Sequence, residues 1–415
     1  MSCTIKEFWL LTLSFKSALH IGSGSSGAFM GAAEIIRNGA GKYMIPGTSL
    51  AGVFLSTLRN CVEAPQESSR HWQELTGTIH KGDESCASNL LFRSAEIEPR
   101  YLQVRDRVSI NRSTKTAKEG AKFSAWEVIP HDLQILLEFD NMSKATVLTD
   151  DECQLYKTWI EAVLYYWQQD GFFLGADTGI GSGYVKLDKI QHCRLDKNNF
   201  QTYLDSSYAE LPTANMGWQD ISIAEPSIVT NSAFLKKYRI KLKADYQNPL
   251  LIKGGISYLS EVNPDTDAPF ITRNGKPFIP GSSIRGAISS FMDKYELTDW
   301  QRLLGQEAVT EGETTHGGYI IFTDLKLTNN DAKLVQLERH AEDQFSRAIF
   351  GSGKFDEERI FNAEFQGDIY VLQGMPISRE SLNKLMNFLL TGAKMGAISI
   401  GSGACYPQIS LEEVK

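Results

Sequence analysis

Phe278-Ile279-Pro280-Gly281-Ser282-Ser283-Ile284-Arg285-Gly286-Ala287 is the stretch on which the reading of the fold turns. A short apolar run stops at Pro-Gly, which breaks a strand. Two hydroxyls stand where a helix should begin, and either Ser282 or Ser283 is placed to cap it. The N–H groups of such a helix start face outward, and the dipole adds partial positive charge, so with Arg285 the stretch could seat a phosphate. An ordinary capped turn accounts for it equally well. What sets it apart is recurrence: Met44-Ile45-Pro46-Gly47-Thr48-Ser49-Leu50-Ala51-Gly52-Val53 repeats it 234 positions earlier.

Other matches run in the same order in both halves. Leu19 to Gly24 corresponds to Leu251 to Ile256, Leu90 to Ala95 to Ile320 to Leu325, and Phe123 to Glu127 to Phe355 to Arg359. Ile180-Gly181-Ser182-Gly183 recurs as Ile400-Gly401-Ser402-Gly403. The pattern predicts two homologous domains, 1–195 and 233–415, joined by a connector over 196–232. Each half reads as strand, Gly-rich loop, Pro-Gly turn and helix, apolar strand, charged insertion, strand, amphipathic helix and last strand. The expected helices cover Leu50–Asn60 and Asp150–Trp167, then Ile284–Tyr295 and Ser378–Leu390. The order β-α-β-β-α-β is that of ferredoxin-like, RRM-like domains, α+β in class, whose sheet has an open face.

Composition sets bounds. The chain has 415 residues, 42% hydrophobic and 22% charged, which suits about two or three globular domains. No apolar run approaches the roughly 20 residues that span a bilayer, and no secretory signal is evident. Six dispersed cysteines suggest free thiols in a reducing cytoplasm. A net charge of −8 argues against nucleic acid over the whole surface, but not against a local basic groove.

The charged insertions are the candidates for that groove. Arg105, Arg107, Arg112, Lys115, Lys118 and Lys122 interleave with Val108, Ile110 and Phe123, as on an exposed β-hairpin. Arg339, His340, Arg347, Lys354 and Arg359 do the same with Phe345, Phe350 and Phe355. Cations among aromatics suit backbone contact and base stacking, and equally a solvated hairpin. The glycine loops, 175–183 and 392–403, form no Walker A or Rossmann pattern, though consecutive amides there could make an anion nest. Asp265 and Asp267 lie in a proline-bounded loop before the second Ile-Pro-Gly turn. Asp there could hold a divalent ion or take a proton, or simply form an Asx-turn. The first half has Gly31-Ala32-Ala33-Glu34 at this point.

Together these residues resemble the RAMP superfamily, and more closely the backbone subunits of type III CRISPR effector complexes. Two such units in one chain look like the fused double subunit of a type III-D-like complex. Arg105 to Lys122, with Phe123 and Glu127, is similar to the thumb hairpin of those subunits. The resemblance implies two tandem ferredoxin-like units with inserted β-hairpin thumbs. It implies guide (CRISPR) RNA, single-stranded target RNA and other complex subunits as partners, with no membrane. RNA contacts would fall at Ser49, Lys253, Ser282, Ser283 and Arg285, and at the thumb residues Arg105, Arg107, Arg112 and Arg347. Gly181, Gly183, Gly401 and Gly403 would complete them. It further implies a loop aspartate, here Asp267, that cleaves target RNA with a divalent metal, Mg2+ or Mn2+. Two other readings stand beside this one. One is a purely structural RNA-binding subunit. The other is a guide-processing endonuclease, for which only Tyr184, Lys394 and Tyr406 lie near the glycine loops.

Overall fold

A computed structural model describes residues 6–26, 31–61, 70–77, 87–111, 117–140, 142–143, 146–207, 209–226, 234–254, 266–297, 300, 302–305, 317–343, 345–372, 375, 377–402 and 405–414. Arg112, Asp265 and Gly403 lie outside the described residues. In the first half, β1 (Lys6–Phe15) leads through α1 (Gly47–Cys61) to β2 (Leu90–Phe92). The hairpin of β3 (Pro99–Ile110) and β4 (Ala117–Pro130) follows, then β5 (Leu133–Asp140), α2 (Asp150–Gln169) and β6 (Tyr184–Arg194). The second half repeats this. Its core is β7 (Phe234–Ala244), α3 (Gly281–Lys294) and β8 (Ile320–Phe322). The hairpin of β9 (Lys333–Glu342) and β10 (Ile349–Phe361) is next, then β11 (Ala363–Leu372), α4 (Arg379–Lys394) and β12 (Gln408–Val414).

Both sheets are antiparallel and have one spatial order. In the first, β6 pairs β1, β1 pairs β5 and β5 pairs β2; in the second, β12, β7, β11 and β8 stand in the same sequence. With the thumbs set aside, that is the fourth, first, third and second strand of a ferredoxin-like unit. The chain is therefore α+β, with two tandem ferredoxin-like units. One core packs Trp9, Leu11 and Leu13 of β1 against Phe54 of α1 and Trp159, Val163 and Trp167 of α2. The other packs Ile240 and Leu242 against Ile284, Phe291, Leu385 and Leu389. Each such fully buried side chain contributes about 1.5–3 kcal/mol through lost water contact. A capping box starts α2, where Thr149 accepts from the Glu152 N–H and Glu152 bonds back to Thr149.

Two expectations change. The open face is covered in the first unit: Phe8, Leu136 and Cys193 pack against Leu211 and Met216 of the connecting segment. β1 is accordingly buried on both faces, where a solvated face would demand alternation. The second sheet does keep a polar face. Arg239, Lys241 and Lys243 on β7 pair there with Asp368, Glu412 and Glu364. The helices after the Ile-Pro-Gly turns also begin three residues early, at Gly47 and Gly281. Pro280 is the N-cap, with φ −60° and ψ 138°. Ser282 and Ser283 therefore sit inside the first turn and cap nothing.

Candidate nucleic-acid interface

The glycine of each Ile-Pro-Gly turn has a packing reason. A Cβ on Gly47 would lie 2.0 Å from the Phe92 carbonyl oxygen, and one on Gly281 2.0 Å from that of Phe322. The helix start is pressed onto the neighbouring strand, and only glycine fits. The freed N–H is capped from outside the helix: Gly47 donates to Ser94 Oγ at 3.0 Å, and Gly281 to Asp324 Oδ1 at 2.9 Å. Ser49 and Ser283 bond back to Pro46 and Pro280 at 3.0 and 2.9 Å. Arg285 is half-buried and donates to the Leu304 carbonyl. The expected phosphate seat at the second helix start is thus occupied by the protein's own Asp324, and its Gly281 is buried. Ser49, Ser282 and Ser283 are half-buried.

What covers that second helix start is the first unit. The turn around Thr178–Ile180 packs on β8, and a Cβ on Gly181 would stand 2.5 Å from Thr323 Cα. Gly181 and Gly183 are buried, and Gly183 bonds to the Ala18 carbonyl at 2.7 Å. Beside them lies a cluster of three arginines and three carboxylates drawn from both units. Arg105 meets Glu127 at 3.1 Å and Asp324 at 4.0 Å. Arg107 meets Glu127 at 2.8 Å and also pairs with Asp177. Arg273 reaches Asp324 at 2.8 Å and Glu127 at 3.5 Å. Arg105 and Glu127 are buried, at 6% and 1% exposure. Burial alone would raise the Glu127 carboxyl, but the charges of Arg105, Arg273 and Arg107 outweigh it and hold it down at about 2. An apolar patch of Phe173, Tyr184, Ile321 and Tyr370 completes the junction. Arg105 and Arg107 thus face protein carboxylates, where an exposed hairpin of cations was expected.

The hairpins themselves are displayed. Val108, Ile110 and Phe123 are exposed on the first, and Ile349, Phe355 and Phe345 on the second, Phe345 at 93%. Arg347 and Lys354 are exposed, and so is Lys253, which bridges to Phe270.

Asp267 is exposed at the root of the second hairpin. Its loop is zipped onto β10. Ala268 donates to the Asp356 carbonyl and accepts from the Glu358 N–H, each at 3.0 Å, while Phe270 donates to Glu358 Oε2 at 2.9 Å. Asp267 Oδ2 accepts the Asp356 N–H at 3.1 Å. The first unit has the same seam: Ala33 pairs with Ala125 in parallel, as Ala268 does with Glu357. Leu19 pairs with Val128 as Leu250 does with Ile360. In this register Ala32, fully buried, occupies the place of Asp267.

The glycine loops need a different register from the one their sequence suggests. Ser402 bonds to the Leu251 carbonyl at 2.9 Å as Ala176 bonds to that of His20 at 2.8 Å. Gly401 therefore matches Gly175. Their φ angles are 84° and 88°, and a Cβ at either would lie within 2.4 Å of the facing carbonyl oxygen. The turn over 177–182 docks on the second unit.

Among the described residues no group of three or more His, Cys, Asp or Glu gathers to hold a metal ion. Asp267 offers one carboxylate. That fits an ion such as Mg2+, which is commonly held by one or two carboxylates together with substrate phosphates. Tyr184, a candidate for guide processing, is engaged elsewhere: its hydroxyl donates to the Asp170 carbonyl at 2.7 Å. Sequence reasoning missed Arg273, Asp324 and Tyr370. The replacement of Ser94 by Asp324 between matched segments was the available signal.

The family model of the RAMP superfamily matches residues 12–186 and 245–405, once in each half. No curated protein matches the chain. No helix among the described residues is long and apolar enough to cross a membrane.

Proposed function

The chain belongs to the RAMP superfamily, and from that premise we propose that it is a double backbone subunit of an RNA-guided complex whose second unit cuts target RNA. Membership carries the coarser part, a CRISPR-associated RNA-binding subunit. The finer part, a type III complex with guide and target RNA as ligands, rests on the resemblance of the two tandem units and their hairpins to the backbone subunits of such complexes, the hairpins displaying cations and aromatics suited to RNA.

One observation supports cutting at the second unit: two loop seams of the same register carry an exposed Asp267 in one and a buried Ala32 in the other. The chemistry is attack by a ribose 2′-hydroxyl on its adjacent phosphorus. The bond from phosphorus to the 5′-oxygen breaks to leave a 2′,3′-cyclic phosphate, Asp267 receives the hydroxyl proton, and the leaving 5′-oxygen takes a proton from water. The hairpin root positions the carboxylate, and alignment of the hydroxyl with the leaving oxygen supplies the orientational gain. Asp267 is the residue that would hold a divalent ion, which would supply charge neutralisation at the phosphate.

Asp267→Asn in the assembled complex should slow one cut by roughly 10²–10⁴-fold, the usual loss for a general base, and leave target binding intact. An unchanged rate returns the chain to the purely structural reading.

A further inference from the structure

The junction inside this chain is a worked example of how one unit seats on the next, and its residues can be traced to the two faces left open. On the second unit's outward face, the bridge between Ala268 and Glu357 fixes the register. Leu337, paired with Glu357, then stands where Arg105 stands, and Arg359 stands where Glu127 stands. By sequence, two residues separate Ser402 from Cys405, where the docking turn over 177–182 separates Ala176 from Gly183. On the first unit's outward face, Asn38, bonded to Lys42, takes the place of Arg273, which pairs with Lys276. Ser94 takes that of Asp324, and Glu138 that of Tyr370, since each pairs with the middle residue of its edge strand.

Within the chain the junction is electrically balanced. Two ion pairs cross it, Arg105 with Asp324 and Arg273 with Glu127. Between two copies neither could form: Leu337 would meet Ser94, and Arg359 would meet Asn38. The second unit's face instead holds Arg339 and Arg359 on the single carboxylate of Glu357, at 3.0 and 2.6 Å. Among the described residues that leaves one cation in excess, and burying it without an acid is costly. The aromatic patch would also fail, because Glu138 sits at its centre, held by Arg93.

We infer that the second unit's outward face, around Leu337, Arg339 and Arg359, is an interface for a different polypeptide that presents a carboxylate to this pair of arginines, and that it does not receive a second copy of this chain. The inference rests on reading the chain as one subunit of a larger complex. Charge complementarity chooses the partner, as it does inside the chain.

Two measurements test it. The first is sedimentation of the purified, RNA-free chain at low ionic strength over a wide concentration range. It should give one monomeric species, and head-to-tail oligomers would overturn the inference. This arm is independent of RNA and stands even if the cleavage proposal fails. The second places the photo-cross-linker p-benzoylphenylalanine at Leu337 in the assembled ribonucleoprotein, with Arg339, 47% exposed, as the alternative position should the first variant fail to assemble. An adduct with a different protein chain, mapped to an acid-bearing peptide, is the expected result. An adduct with RNA, an adduct with a second copy of this chain, or no protein adduct from either position would overturn it.

Discussion

Single residues carry the constraints that make this molecule more than two copied units. Gly281 is one: a methyl group there meets the Phe322 and Ile180 carbonyl oxygens at 2.0 and 2.6 Å. Gly281→Ala should therefore lower stability by at least the 1–3 kcal/mol typical of overpacking, measured as a drop in the urea midpoint. Glu127 is another. Removing one partner of a buried ion pair costs about 3–5 kcal/mol, so Glu127→Gln should be strongly destabilising by the same measure. Its pH dependence has a definite sign. The folded carboxyl sits at about 2 against an ordinary 4.5, so its stabilisation is complete above the ordinary value. It is lost as pH falls from there toward about 2. The stability gap between the wild type and Glu127→Gln should narrow over that window, and a gap that stays constant would refute the assignment. Such residues were only partly legible in sequence. Ile-Pro-Gly announced a special turn, but its glycine proved to serve strand contact and its serines proved not to be caps. Which oxygen caps a helix depends on what tertiary packing brings near it.

At the scale of elements, the sequence was most readable where periodicity is long. The amphipathic helices and the order of strands follow from it, because burial of one face dictates the pattern. The hairpins were less readable. Interleaved cations and aromatics look alike whether they face solvent, RNA or carboxylates of a neighbouring unit. Here the root of the first hairpin, at Arg105 and Arg107, faces carboxylates, while its outer part, at Val108, Ile110 and Phe123, is exposed. The same burial moves the proposed RNA contacts to exposed cations. Arg347→Ala with Lys354→Ala should weaken RNA binding and reduce the slope of log affinity against log salt by about 1–2, as expected when one or two phosphate contacts are lost. Fluorescence anisotropy at several salt concentrations measures this. An unchanged slope would remove the second hairpin from the interface.

Across the whole molecule the two units are unequal: they share a fold and a loop seam, but only the second carries an exposed carboxylate at the position proposed for cutting. Repeats in the sequence revealed the pairing of units, yet the offset drifts, so Ala32 could be told from Ala33 only once the strands were in register. The glycine loops show the same limit, since the insertion of residues 177–182 shifts the apparent match from Gly175 to Gly181. The most direct measurement is a nucleotide-resolution map of target RNA products from complexes containing wild type, Asp267→Asn or Ala32→Asp. The wild type should give one cut attributable to this chain, opposite the second hairpin, and Asp267→Asn should erase that cut alone. Ala32→Asp should leave it in place and add a second one unit's spacing away. A wild-type cut opposite the first hairpin, or one that survives Asp267→Asn, would contradict the account.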